Sequence, residues 1–103
     1  MRQIIWLNSA VDDIVKLREF VAAHNPKAAE KAAKTIKEAT IKLEETPNIG
    51  KPIADLPNYR DLYIRFGAAG YVMRYRVHQN NVYIVHIRHY RESGFNEITT
   101  NWA

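Results

Sequence analysis

The sequence predicts an α+β fold in the order β-α-α-β-β-β: an N-terminal strand, then an antiparallel helical hairpin packed on a small, mainly antiparallel sheet. Three observations predict it. Tyr71 to Arg91 alternates in character with period two on either side of Gln79-Asn80-Asn81, the pattern of a β-hairpin whose turn residues tolerate positive φ. Two stretches before Pro47 instead repeat apolar residues at three- and four-residue spacing, each behind its own helix-start signal. A short, mostly apolar run, Arg2 to Leu7, precedes both and reads as a strand covered on at least one face.

That first strand places Ile4 and Trp6 on one side, Gln3, Ile5 and Leu7 on the other, and ends at Asn8-Ser9. Ser9 followed by Asp12 has the form of a capping box with Asp in place of Glu. A helix is therefore expected from Ser9, with Asp12 and Asp13 complementing the positive end of its dipole. Ala10, Ile14, Leu17 and Val21, joined by Val11, Val15 and Phe20, supply its apolar residues as far as His24. Asn25-Pro26 is the second start signal, Asn as N-cap and Pro at the first helical position, where its missing N–H costs nothing. Ala29, Ala32, Ile36, Ala39 and Leu43 then recur among lysines and glutamates up to Thr46-Pro47. The stripe is largely alanine, so another backbone can come close, and the two helices are expected to pair across one sheet face. A long Ala/Lys helix also suits an exposed partner-binding arm.

Pro47 to Asn58, with Pro52, Pro57 and Gly50 inside it, reads as a surface loop anchored by Ile49, Ile53 and Leu56. Tyr59 to Phe66 is the next strand, with Leu62, Ile64 and Phe66 on one face and Tyr63 and Arg65 on the other. Gly67 to Gly70 turns the chain into the hairpin. There Tyr71, Met73, Tyr75 and Val77 alternate with Val72, Arg74, Arg76 and His78; in the second arm Tyr83, Val85, Ile87 and His89 alternate with Val82, Ile84, His86 and Arg88. Tyr71, Tyr75 and Tyr83 are read as core or cross-strand packing rather than platforms for stacked bases. The last three strands form a meander and the first joins the final one in parallel, leaving both helices on one face. Residues 1–95 make the domain. Residues 96–103 are a tail whose Trp102, with Phe95 and Ile98 before it, suits docking on the core or a partner.

A chain of 103 residues that is 47% hydrophobic sustains one core and not two. The lack of cysteine excludes disulfides and thiol chemistry and fits a reducing, cytoplasmic home. No apolar run approaches the roughly 20 residues of a membrane span, and the N-terminus lacks the apolar core of a signal peptide. The net charge of +4 is concentrated late in the chain: Arg65, Arg74, Arg76, Arg88 and Arg91, with His78, His86 and His89, lie between Leu62 and Arg91 without one acidic residue. Such a field favours nucleic acid, an acidic protein or another polyanion, and is equally the pattern of a basic solvated sheet face. No carboxylate or cysteine joins those histidines at a spacing that fills a coordination shell, so neither a metal nor another cofactor is expected.

Behind a strand and two helices, Leu62-Tyr-Ile-Arg-Phe66, Gly70-Tyr-Val-Met-Arg-Tyr-Arg-Val77 and Val82-Tyr-Ile-Val-His-Ile-Arg-His-Tyr-Arg91 follow in succession. This resembles the RelE/ParE superfamily of small toxins from bacterial type II toxin–antitoxin operons, over roughly Gln3 to Gly94. The Gly-Tyr-x-x-x-Tyr-Arg-Val strand and the closing His89-x-Arg91 look more like the ParE branch. The resemblance implies a toxin neutralised by a cognate antitoxin, ParD-like or other, encoded beside it. For the ParE branch it further implies inhibition of DNA gyrase by protein binding, with no membrane partner and no direct sequence-specific binding of nucleic acid.

The RelE branch instead cuts messenger RNA on the ribosome, which requires cations for the phosphorane-like transition state and groups that move protons. Arg65, Arg74, Arg76 and Arg88 are candidates for the first role, His86, His89 and Tyr90 for the second. Two departures count against it: Val72 stands where ribonuclease members tend to place an arginine, and Ser93 to Ala103 holds no Arg, Lys, His or Tyr. No catalytic residue is therefore assigned. Target binding is assigned to Arg65, Arg74, Arg76, Arg88, His89, Tyr90 and Arg91 at the basic end of the sheet; in the bland alternative Tyr90 packs on a helix and Arg91 pairs with Glu92 or Asp61. An inactive relative that only binds an antitoxin completes the alternatives.

Overall fold

The computed structural model describes residues 2–66 and 69–91. Its elements are β1 (Gln3–Trp6), α1 (Asn8–His24), α2 (Pro26–Glu45), β2 (Lys51–Pro52), β3 (Tyr59–Phe66), β4 (Ala69–His78) and β5 (Asn81–Arg91). The strands form one sheet in the order β1-β5-β4-β3-β2. β3, β4 and β5 are the expected antiparallel meander, and β1 runs parallel to β5 at the edge. The chain is the α+β arrangement its sequence predicts. Asn81 already pairs with His78, so the hairpin turn is Gln79-Asn80, and Gln79 carries its left-handed φ of 54°. Gly67 and Ala68 of the expected turn, and the tail from Glu92 onward, lie outside the described residues.

Asn25 alone separates the two helices, and it caps the second: its Oδ1 accepts from the N–H groups of Lys27 at 3.1 Å and Ala28 at 3.2 Å. Ala29, Ala32, Ile36, Ala39 and Leu43 of α2 are buried, as their spacing requires. Ala32, Ile36, Ala39 and Leu43 meet Tyr71, Met73 and Tyr75 from β4, Ile64 from β3, and Val82, Ile84 and Ile87 from β5. α1 contributes less. Ala10 is buried and Ile14 and Leu17 pack at the margin, whereas Val11, Val15 and Phe20, expected to join them, are exposed, Phe20 by 58%.

The start of α1 differs from the expected capping box. The helix begins at Asn8 behind an extended Leu7, with no side-chain cap, and Ser9 lies within it. The physical reason is a stronger offer from β5: the Ser9 hydroxyl donates to the Val85 carbonyl at 2.7 Å, and Asp13 accepts the Ile87 N–H at 3.0 Å. β1 pairs with β5 only as far as Ile84, so α1 covers the edge that β1 leaves.

At the same place the strict alternation expected for the second hairpin arm breaks. Arg74 stands opposite His86 while Tyr75 stands opposite Ile84, which leaves Val85 as the extra residue of a bulge. Cross-strand partners share a face, so Val82 and Ile84 join Ile87 and His89 on the helix side, opposite Val77, Tyr75, Met73 and Tyr71 in turn. The expectation that His89 and Ile87 oppose Ile84 and Val82 is corrected by that one inserted residue.

The loop of residues 47–58 is also more structured than expected, because Lys51 and Pro52 pair with Asp61 and Arg60 as β2. Ile49 and Leu56, read as anchors, are exposed. Polar side chains hold the loop instead: the Tyr75 hydroxyl bonds Pro47 and Gly50, and the Arg60 Nη1 donates to the carbonyls of Asn48 at 3.2 Å and Gly50 at 2.8 Å.

Candidate functional site

With both helices on one side, the sheet turns its other face outward, and the strand register arranges that face in rows. Tyr59, Arg76 and Tyr83 form one row, Asp61, Arg74 and His86 the next, Tyr63, Val72 and Arg88 a third. Arg65 follows opposite Gly70. Tyr83, grouped with the core tyrosines by alternation, is thus separated from them: Tyr71 and Tyr75 are buried under the helices, while Tyr83 is half-buried opposite Arg76.

The proposed binding arginines differ in environment. Arg74 is 7% exposed and Asp61 3%; the guanidinium Nε and Nη2 reach the two carboxylate oxygens at 2.9 and 3.1 Å, a bidentate pair. Arg76 is half-buried with its guanidinium carbon 5.8 Å from the centre of the Tyr59 ring. Arg65 is exposed and Arg88 half-buried on the same outward face. His89 lies on the helix side, its ring centre 6.2 Å from Phe20 and 5.8 Å edge-on to Tyr71. His86 sits at the bulge with Nδ1 2.9 Å from Asp13 Oδ2. Tyr90 and Arg91 end β5 opposite Gly70 and Ala69, and their side chains lie outside the described parts. The register therefore brings Arg65, Arg74, Arg76 and Arg88 onto one face and sends His89 to the other.

Asp61, Tyr59 and Tyr63 belong to this face and were not among the predicted site residues. Their signal was available, since odd positions of β3 oppose the apolar Leu62, Ile64 and Phe66. Burial raises the Tyr63 phenol above its ordinary value, the negative Asp61 adds to that, and Arg74 opposes it. Among the described residues no group of three or more His, Cys, Asp or Glu is placed to hold a metal ion.

A second feature lies on the helix side. α1 and α2 splay over β1 to leave a groove of about 460 Å³ whose walls include Ile4, Trp6, Ile14, Leu17 and Ile36, with Arg18, Lys37 and Glu44 also lining it. Its walls are aliphatic and aromatic, so an apolar side chain entering it would leave water.

Comparison with known proteins bears on both surfaces. The family model described as "ParE toxin of type II toxin-antitoxin system, parDE" matches residues 4–94. The toxin RelE3 of Caulobacter vibrioides is 38% identical over 77 residues, which cover 75% of this chain and 82% of the relative. The toxin RelE2 of the same organism is 33% identical over 89 residues, 86% of this chain and 96% of that one. A solved structure titled "Chromosomal ParDE TA system from P. aeruginosa" superposes with a TM-score of 0.72 at 22% identity, covering 88% of this chain and 98% of its own, and so shares the fold. A family match running from β1 to beyond β5 leaves one conclusion: the chain belongs to the ParE toxin family of type II toxin–antitoxin systems, within the RelE/ParE superfamily.

Proposed function

We propose that this toxin arrests growth by binding DNA gyrase in the cytoplasm through the outward sheet face, and that a cognate antitoxin neutralises it by laying an apolar, partly helical segment into the groove over β1. The observation that carries the reading is the commitment of a cation that a nuclease would need. Arg74 holds Asp61 in a buried bidentate pair. Transition-state cations must face the reacting phosphate, and Arg74 faces a carboxylate of its own chain. The outward face supports binding instead, since it mixes tyrosine with arginine, as protein interfaces do. Half-buried apolar walls in the groove support an antitoxin that folds as it docks.

Two assays on one preparation test this: plasmid supercoiling by purified gyrase, and messenger RNA cleavage in a translation reaction. Inhibited gyrase with intact RNA is the expected result, and Arg88→Glu should weaken the inhibition while the chain stays folded. The names of the curated relatives, all RelE toxins, favour a second reading, a ribosome-dependent ribonuclease. Cut RNA beside normal gyrase would replace the first reading with that one.

A further inference from the structure

We infer that the cleft between residues 51–56 and Tyr63 is the anchor point of the outward face. It takes one large apolar side chain, with a carboxylate beside it, from an acidic segment of the protein that this face binds. The inference rests on the protein-binding part of the reading above and specifies the contact. The cleft has a volume of about 490 Å³, enough to admit an aromatic side chain. Pro52, Ile53, Ala54 and Leu56 line it from the loop and Tyr63 from β3. Leu56 and Tyr63 are 38% and 37% exposed, so an incoming group reaches both.

These apolar side chains face the cleft because the loop is held by other means. Tyr75 and Arg60 bond the backbone at one end of it. At the other end the Ile53 N–H donates to the Tyr59 carbonyl at 3.3 Å and the Tyr59 N–H to the Leu56 carbonyl at 3.2 Å. The loop side of the cleft is thus in place before a partner arrives, which lowers the ordering cost of binding.

The charges select the occupant. Asp61 and Arg74, which also line the cleft, offset each other in their buried bidentate pair, and burial with the nearby Asp61 charge keeps the Tyr63 phenol neutral. Such a cleft suits an uncharged, apolar group. The exposed Lys51 is, among the described residues, the one charged group lining it outside that pair, and every charged residue from Leu62 to Arg91 is basic. An acidic flank on the partner complements that field. A nucleic acid strand also carries rings and negative charge, but it binds through successive aromatic platforms along a cationic track. Here one tyrosine stands among aliphatic groups with one lysine, which favours a protein side chain.

The methyl resonances of Ile53 and Leu56 are the readout. The probes are acetyl-Glu-Trp-Glu-amide, the same peptide with Ala for Trp, the same peptide with Gln for Glu, and an oligothymidylate. The Glu-Trp-Glu peptide should move both sets of methyl signals, and the Ala peptide should bind about tenfold more weakly. The Gln peptide, and Lys51→Glu with the parent peptide, should each lose about threefold. Leu56→Glu changes an exposed side chain and should leave the circular dichroism of the parent while the Ile53 signal loses about tenfold in affinity. Silent methyl groups overturn the inference, as do methyl groups that answer only to the oligonucleotide, an Ala peptide that binds as the Trp peptide does, or a folded Leu56→Glu protein that binds as the parent does. The gyrase assay separates the two proposals. Normal gyrase with a responsive cleft rejects gyrase as target and keeps the anchor site; inhibited gyrase with a silent cleft does the reverse.

Discussion

Tyr75 and Gly50 are in direct contact: the Gly50 N–H donates to the Tyr75 hydroxyl at 2.9 Å, and a Cβ at position 50 would lie 2.5 Å from that same oxygen. The hydroxyl in turn donates to the Pro47 carbonyl at 2.6 Å, so one side chain from the middle strand fixes the turn that follows α2. Tyr75→Phe keeps the ring and strips both bonds from buried backbone groups, and should cost about 2 kcal/mol. Gly50→Ala forces the ring or the loop to move and should cost about 2 kcal/mol as well. Because both act on one contact, the double variant should be less destabilised than the sum, a difference that denaturant unfolding of the four proteins measures.

The Asp61–Arg74 pair gives a second prediction, in which the double change costs less than the single one. Asp61→Ala leaves a guanidinium at 7% exposure without its carboxylate, and should cost about 3 kcal/mol. Replacing both partners, as Asp61→Leu with Arg74→Met, removes the charge along with its need for a partner and should recover most of that loss. Thermal unfolding decides it. A double variant as unstable as Asp61→Ala would mean that the pair fixes the register of β3 on β4 rather than merely balancing charge.

The sequence makes the fold legible where one local signal meets no competitor. Asn25-Pro26 starts α2 because the Asn25 side chain finds its partners, the N–H groups of Lys27 and Ala28, within its own helix, and the alanine stripe is buried as its spacing requires. Ser9 departs from its capping pattern for the opposite reason. Its hydroxyl had two possible partners, its own helix or the Val85 carbonyl, and the distant one is visible only once β5 lies alongside. The same holds for the bulge at Val85, which no periodicity announces and which decides on which face Ile84 and His89 fall. At the candidate site Arg74, Arg76 and Arg88 of β4 and β5 are legible as one face, but not that Arg74 is spent on Asp61 while Arg76 is left without an acceptor for Nε among the described residues, a distinction set by the register of β3 on β4.

Alkaline titration provides a third prediction. Burial raises the phenols of Tyr71 and Tyr75 above 10.0; for Tyr75 the charge of Asp61 adds to this, while the Gly50 N–H bond and Arg60 oppose it. A folded value above the unfolded one means that the neutral phenol is favoured by folding. The stability these two groups contribute is therefore complete below pH about 10 and is lost as pH rises through their folded values. Phenolate absorbance followed beside far-ultraviolet circular dichroism should show Tyr71 and Tyr75 ionising only as the chain unfolds. Their ionisation within a native-like chain would contradict the burial argument.

The edge of β5 beyond Ile84 yields the last prediction, a local one. Asp13 Oδ2 accepts both the Ile87 N–H at 3.0 Å and a contact from His86 Nδ1 at 2.9 Å, and Ser9 closes the neighbouring Val85 carbonyl. Asp13 is half-buried and the pairing is with a backbone group, so Asp13→Ala should cost about 1–2 kcal/mol. The cost should be confined. Amide exchange at Ile87 should accelerate by more than that at Met73, its cross-strand partner, because the edge opens while the β4 and β5 ladder stays closed. Equal acceleration at both amides would mean that α1 and the sheet come apart together, and that the Asp13 contact holds the whole helix rather than one stretch of strand edge.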